Sequence, residues 1–201
     1  MLYPVSVIDG LVHTLGGKTL ALECKMIRMF KGGCPIGSAV ESSPGSSELE
    51  QYYNRIIHTT PPFYKFRYNE EGENQCSTGA GNGAGNGAGN GAGDSNSDDQ
   101  VEILHQCYKS AFEASFLYNG IPRREECRVA CPIIGAGARG FPYDVAINVA
   151  AFESWNWLCT HTDNHDNKGR NIPAVLSFGI PDPDIANKLS AEIKELEGSE
   201  I

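Results

Sequence analysis

The sequence has no excess of positive charge. Sixteen lysines and arginines face 25 aspartates and glutamates, for a formal net charge of −9. That balance lacks the basic footprint needed for general nucleic-acid binding or attachment to an anionic membrane. It still admits a nucleotide ligand, because a local nest of backbone N–H groups holds phosphate inside an acidic protein. No apolar run reaches the length of a membrane span. Met1-Leu2-Tyr3-Pro4 starts no basic-then-apolar leader, so no signal peptide is expected. Paired cysteine spacing is missing too. The seven cysteines, at 24, 34, 76, 107, 127, 131 and 159, are odd in number and irregular in spacing. Several sit in apolar runs, which fits buried, reduced thiols and a cytoplasmic or nuclear address.

What is present is enough for one domain with a real core: 201 residues, 40% of them hydrophobic. The informative stretch is Cys131 to Pro142. Val129 to Ile134 reads as a buried strand, glycines follow at 135, 137 and 140, and a helical pattern begins after Pro142. Strand, glycine loop and helix N-terminus form an arrangement that holds phosphate, because the glycines leave the backbone N–H groups open to a ligand. The same glycines also serve a plain tight turn needing positive φ. The stretch is neither a P-loop, since no lysine follows, nor a dinucleotide fingerprint.

Along the rest of the chain, Val7–Leu15 and Thr19–Met29 show helical spacing, and Gly32-Gly33 closes the second helix. Gly37–Ser42 and Arg55–Thr59 read as strands, the latter stopped by Pro61-Pro62. Residues 69–99 hold a Gly-Ala-Gly-Asn repeat and are expected to be a disordered surface insert. Val101–Tyr118 is an amphipathic helix with Asp98 or Asp99 as its cap. Arg128–Ile134 is the strand into the glycine loop. Tyr143–Leu158 is a helix with Val145, Val149, Phe152, Trp155 and Trp157 mostly inward. Ile172–Phe178 is a strand, and Asp184–Leu196 is a helix entered through Pro181-Asp182-Pro183. Alternating strands and helices predict an α/β layered domain. Cys159, His161, Asp163, His165 and Asp166 are of zinc-ligand types, but their spacing fits no standard site, so no metal or other cofactor is expected.

In this order the residues resemble a macrodomain, the ADP-ribose-binding module, of the MacroD type. Ile8-Asp9-Gly10-Leu11-Val12-His13, with Gly17 and Glu23-Cys24 beyond, resembles the first ligand loop and its helix. Gly33-Cys34-Pro35-Ile36-Gly37-Ser38-Ala39 is similar to the family's Cys-Pro-Thr-Gly-Glu-Ala. Ile56-Ile57-His58-Thr59 with Pro61 is similar to its Ile-Ile-His-Thr-Val-Gly-Pro. Pro132 to Pro142 aligns without a gap to its Pro-x-Ile-Ser-Thr-Gly-x-Tyr-Gly-Tyr-Pro.

The resemblance implies one domain over 1–201 with a three-layer α/β/α sandwich and a mixed sheet, interrupted by the insert at 69–99. It implies binding of ADP-ribose or ADP-ribosylated proteins. Gly135, Ala136, Gly137, Ala138, Arg139, Gly140 and Phe141 would wrap the diphosphate and distal ribose, with Ile8 and Asp9 in the first loop and Phe178 beside the adenine. In hydrolytic members the aspartate matching Asp9 helps activate water, so an ADP-ribosyl hydrolase or O-acetyl-ADP-ribose deacetylase activity is implied for that residue. Taken by itself, Asp9 is also a helix-start aspartate of the capping kind, and His13 and His58 read as packed or hydrogen-bonded residues.

The departures weaken the site. The family's first two strands, with their Asn-Ala-Ala-Asn motif, are expected ahead of Met1. Val5-Ser6-Val7 stands where glycines precede the aspartate, Gly135-Ala136 replaces Ser-Thr, and Arg139 replaces the first tyrosine. Micromolar affinity needs about 8 kcal/mol. A backbone N–H to phosphate contributes roughly 1.5–3 kcal/mol and base stacking about 1–3 kcal/mol. Three loop bonds with Phe178 reach that total only if little ordering entropy is spent, and a phosphate-pairing Arg139 would add to it. The alternative expectation is a non-binding, catalytically dead remnant.

Overall fold

The computed structural model describes residues 8–45, 47–64, 97–118, 121–122, 127–162 and 174–199. Helix α1 (Ile8–Lys31) is two helical pieces joined at Gly17, whose φ of 61° and ψ of −153° break the spiral. That break lies between the two helical patterns read from the sequence. Leu20 on the inner side is fully buried. There the chain passes so close to Gly45 that a Cβ on that glycine would lie 2.5 Å from Leu20 Cβ and from the Gly16 carbonyl oxygen.

Strand β1 (Ala39–Ser42) pairs antiparallel with β2 (Ile56–Thr59), Val40 facing His58. A single turn, α2 (Ser47–Glu50), lies between them in sequence, and its Leu49 is buried. Helix α3 (Ser97–Phe116) starts four residues earlier than its apolar pattern, because Asp98 and Asp99 sit within the first turn, where the helix dipole favours them, rather than ahead of it as caps. The insert as read from the sequence therefore ends before residue 97, and its residues 69–96 lie outside the described ones. The end of the expected helix is instead a short antiparallel pair, β3 (Leu117–Tyr118) with β4 (Ile121–Pro122).

Strand β5 (Cys127–Cys131) runs parallel to β6 (Ala174–Phe178), with Cys131 opposite Phe178. It stops three residues short of the predicted Ile134, since Pro132 has no N–H to extend the ladder. Helix α4 (Tyr143–Thr162) continues beyond the expected Leu158. Its Val149 and Trp157 are buried, but Phe152 points outward at 48% exposure and meets His105 edge-on at 5.6 Å. Asp182 caps helix α5 (Pro183–Gly198), accepting from the N–H groups of Asp184 and Ile185, with Pro183 in the first turn.

The core joins these layers. Leu104, Tyr108, Phe112 and Phe116 of α3 meet Ile147, Ala150 and Trp157 of α4 and Leu189 of α5. Helix α3 touches β1, β2 and β5 as well as α4. Among the described residues the antiparallel β1–β2 pair and the parallel β5–β6 pair are separate ladders, so both strand directions are present.

Candidate ligand-binding site

Parallel strands leave their C-terminal ends at one edge, and in open α/β layers that edge is where ligands bind. Here β5 and β6 both end at such an edge. From β5 the chain enters the glycine loop and then α4; from β6 it runs through Gly179 to the cap of α5. Between the two exits lies a cleft of about 330 Å³. Its walls are Pro132, Ile133, Ala136 and Gly137 on one side and Gly179, Ile180, Pro181 and Asp182 on the other, with Ile8 of α1, Tyr143 of α4 and Ile185 of α5. No lysine or arginine is among these residues.

Local bonds fix the glycine loop. Ile134 donates its N–H to the hydroxyl of Tyr108 at 2.8 Å, a buried bond to α3. Phe141 N–H donates to the Gly135 carbonyl at 3.2 Å, and Gly140 N–H to the Gly137 carbonyl at 3.0 Å. Gly135 has φ +90°, and a Cβ there would lie 3.0 Å from the Phe141 ring and 3.2 Å from Leu104. Gly137 has open space where a Cβ would stand. Behind the loop, Cys131 donates its thiol hydrogen to the Pro132 carbonyl, and burial pushes its pKa up to about 12. It is therefore a neutral thiol, not a nucleophile.

Of the residues singled out from the sequence, Ile8, Ala136 and Gly137 line the cleft. Gly135 and Phe141 are buried, the latter with its ring tilted against Tyr64, centroids 4.9 Å apart. Ala138 and Gly140 lie on the loop away from the walls. Arg139 places its guanidinium 4.4 Å over the ring of Phe63, and its carbonyl accepts from Tyr64 N–H. Phe178 packs against the core at the end of β6. Asp9, next to Ile8 in the first turn of α1, turns its carboxylate to His13, with 3.6 Å between Oδ1 and Nε2. His58 is held at 2.7 Å by the Ser42 hydroxyl. Among the described residues, no three His, Cys, Asp or Glu side chains are grouped to hold a metal; the cluster after Cys159 falls mostly outside them.

Sequence reasoning missed Tyr143, Ile180 and Asp182. A signal was available for Asp182, since Pro181-Asp182-Pro183 lies just two residues beyond β6, but it was read only as a helix start.

Comparison with known proteins agrees with this geometry. Residues 2–82 match the Macro domain family. A solved macrodomain of Oceanobacillus iheyensis superposes with a TM-score of 0.65 at 18% identity, over 98% of this chain and 80% of that one. This chain has the macrodomain fold. An O-acetyl-ADP-ribose deacetylase of Pantoea vagans is 25% identical over 79% of this chain and 77% of its own length. A macro domain-containing protein of Caldanaerobacter subterraneus is 29% identical over 71% of this chain. The match spans 59% of that relative's own length. The Oceanobacillus macrodomain is also known with ADP bound, a structure that matches with a TM-score of 0.63 at 18% identity, over 98% of this chain and 80% of that one. Among the described residues no helix is long and apolar enough to cross a membrane.

Proposed function

We propose that this macrodomain binds ADP-ribose, free or attached to protein, in the cleft between the glycine loop and the Gly179–Asp182 turn. The observation that carries the reading is the loop itself. Ala136 and Gly137 line a cleft at the C-terminal ends of two parallel strands, and Gly137 leaves room for a phosphate to approach. A ligand there is held by N–H groups and by apolar walls, since the lining lacks a cation and Arg139 is engaged by Phe63. Affinity is accordingly modest, in the micromolar range or weaker. Titration calorimetry with ADP-ribose tests this. A heat that vanishes in Gly137→Val supports it; no heat from folded wild-type protein at high micromolar concentration favours the non-binding remnant.

Hydrolysis is the finer part of the proposal. A relative is named as an O-acetyl-ADP-ribose deacetylase, and Asp9 stands beside the cleft-lining Ile8 with His13 steadying its carboxylate. In that reaction water adds to the ester carbonyl, the bond to the ribose oxygen breaks, and acetate and ADP-ribose leave. Asp9 would take the proton of the attacking water and return it to the departing ribose oxygen. Release of labelled acetate from O-acetyl-ADP-ribose, compared between wild type and Asp9→Ala, decides it; equal rates would remove Asp9 from the mechanism.

A further inference from the structure

Helix α1 has a second face that the cleft does not use. Its inner side is fixed: Leu20 is fully buried, and Glu23 accepts from both the backbone N–H and the hydroxyl of Ser43. The outward side therefore cannot be a helix rolled out of register. On that side stand Leu22, Met26, Met29 and Phe30, exposed by 61%, 46%, 65% and 73%. Their spacing of i, i+4, i+7 and i+8 puts them on one helical stripe. Single exposed apolar side chains are ordinary, but four in helical register on a solvent face are not.

The charges on this helix run against the rest of the chain. Lys18, Lys25, Arg28 and Lys31 are exposed along a segment whose one carboxylate, Glu23, is turned inward, in a protein of net charge −9. Lys18, Lys25 and Arg28 share the edge adjoining the stripe on one side. The other edge carries the occupied Glu23.

We propose that this outer face of α1 docks a protein partner that offers an apolar groove bordered on one side by carboxylates. Apolar anchors one and two turns apart are how an amphipathic helix seats in a groove, and methionines let such a stripe adapt to its partner. Charge on one edge only sets the direction of docking. A second copy pairing through this same face would set like cations against one another, and the carboxylate beside them, Glu23, is taken by Ser43, so self-pairing of the face gains no complementarity. A helix lying in an anionic bilayer is flanked by cations on both edges, and the chain's net charge opposes that approach. The inference is independent of the cleft.

The test uses the full chain with p-benzoylphenylalanine at position 30, irradiated in extract of its source cell. The adduct is identified by mass spectrometry, and the captured protein is purified and titrated against the unmodified chain. The expected partner has an acid-edged apolar groove. Its affinity falls at least about tenfold both with raised salt and in the double variant Lys25→Glu, Arg28→Glu. A similar fall is expected in Met26→Gln, Met29→Gln, with circular dichroism and ADP-ribose titration unchanged in every variant. The idea is overturned if irradiation gives no adduct, or only a second copy of the chain. Equal binding of all variants by the captured protein also overturns it, as does co-flotation of the chain with phosphatidylserine vesicles in place of protein capture.

Discussion

The Ser42 hydroxyl lies 2.7 Å from Nε2 of His58, a diagonal contact across the β1–β2 ladder, in which Val40 faces His58 and Ser42 faces Ile56. The thiol of Cys24 is 3.9 Å from the same nitrogen, and the His13 ring stands 6.3 Å from the His58 ring. This half-buried polar knot ties the first piece of α1, which carries Ile8 and Asp9, to the strands. Burial first, and then the charge of His13, lowers the pKa of His58 below its usual 6.5, while Asp9 and Glu23 pull weakly the other way.

A pH dependence follows with a definite sign. Unfolded His58 takes a proton near 6.5, whereas folded His58 resists it until lower pH. The unfolded chain then binds more protons, so the His58 contribution to stability is complete above 6.5 and is lost as pH falls from there through the folded-state value. Urea midpoints on either side of that pH should show the loss, and His58→Gln should flatten it. An unchanged slope in the variant would place the effect elsewhere.

Two glycines of one loop should respond in opposite ways. Gly135→Ala forces a side chain into positive φ with its Cβ 3.0 Å from the buried Phe141. Strain of this kind costs about 1–3 kcal/mol, read as a lowered urea midpoint. Gly137→Val meets open space, so stability should stay within about 0.5 kcal/mol. ADP-ribose affinity should nevertheless collapse, because the added carbons fill the approach to the backbone. If both variants lost stability equally, the loop would be a structural turn and not a ligand cradle.

The salt link between α3 and α4 is asymmetric. Glu153 is 2% exposed, with His105 Nδ1 at 2.7 Å and Lys109 Nζ at 3.7 Å. Removing the histidine leaves a buried carboxylate with only a distant, solvated ammonium. Replacing Glu153 by glutamine leaves no charge stranded in the interior, since His105 and Lys109 both reach solvent. His105→Phe should therefore destabilise by about 1–3 kcal/mol, and Glu153→Gln by less. Thermal melts of the two variants compare them directly, and the reverse order would refute the argument.

How far the sequence could be read depended on the range of the interaction. The break in α1 fell between the two helical patterns read at Val7–Leu15 and Thr19–Met29, and Pro183 marked the start of α5, because those effects live in the local backbone. The end of β5 was overrun because Ile133 and Ile134 continue the apolar run, while Pro132 quietly ends the hydrogen bonding. The cleft's first wall was legible from its glycines. Its second wall, Gly179 to Asp182, depends on the parallel pairing of β5 with β6 across more than forty residues of chain, and no local spacing encodes that. Arg139 looked like a phosphate partner because its competitor, Phe63, lies far away in sequence. Phe152 fell at an apolar position of the α4 pattern, but that helix is apolar nearly all round, so periodicity could not say which side met the core.

Tyr108 gives the sharpest test of how the core holds the site. It is fully buried in α3, and its hydroxyl accepts the N–H of Ile134 just before the glycine loop. Burial, the largest effect, drives its pKa well above the ordinary phenol value, so it remains a neutral hydroxyl at any physiological pH. In Tyr108→Phe the ring packing against Phe112 at 5.8 Å survives, but a buried N–H loses its acceptor. That should cost about 1–3 kcal/mol in urea denaturation. It should also speed hydrogen exchange of Ile134 relative to the rest of the core and weaken ADP-ribose binding by releasing Ala136 and Gly137. If stability fell while ADP-ribose affinity held, the loop would keep its shape without this anchor, and the bonds from Gly140 and Phe141 within the loop would be sufficient to position it.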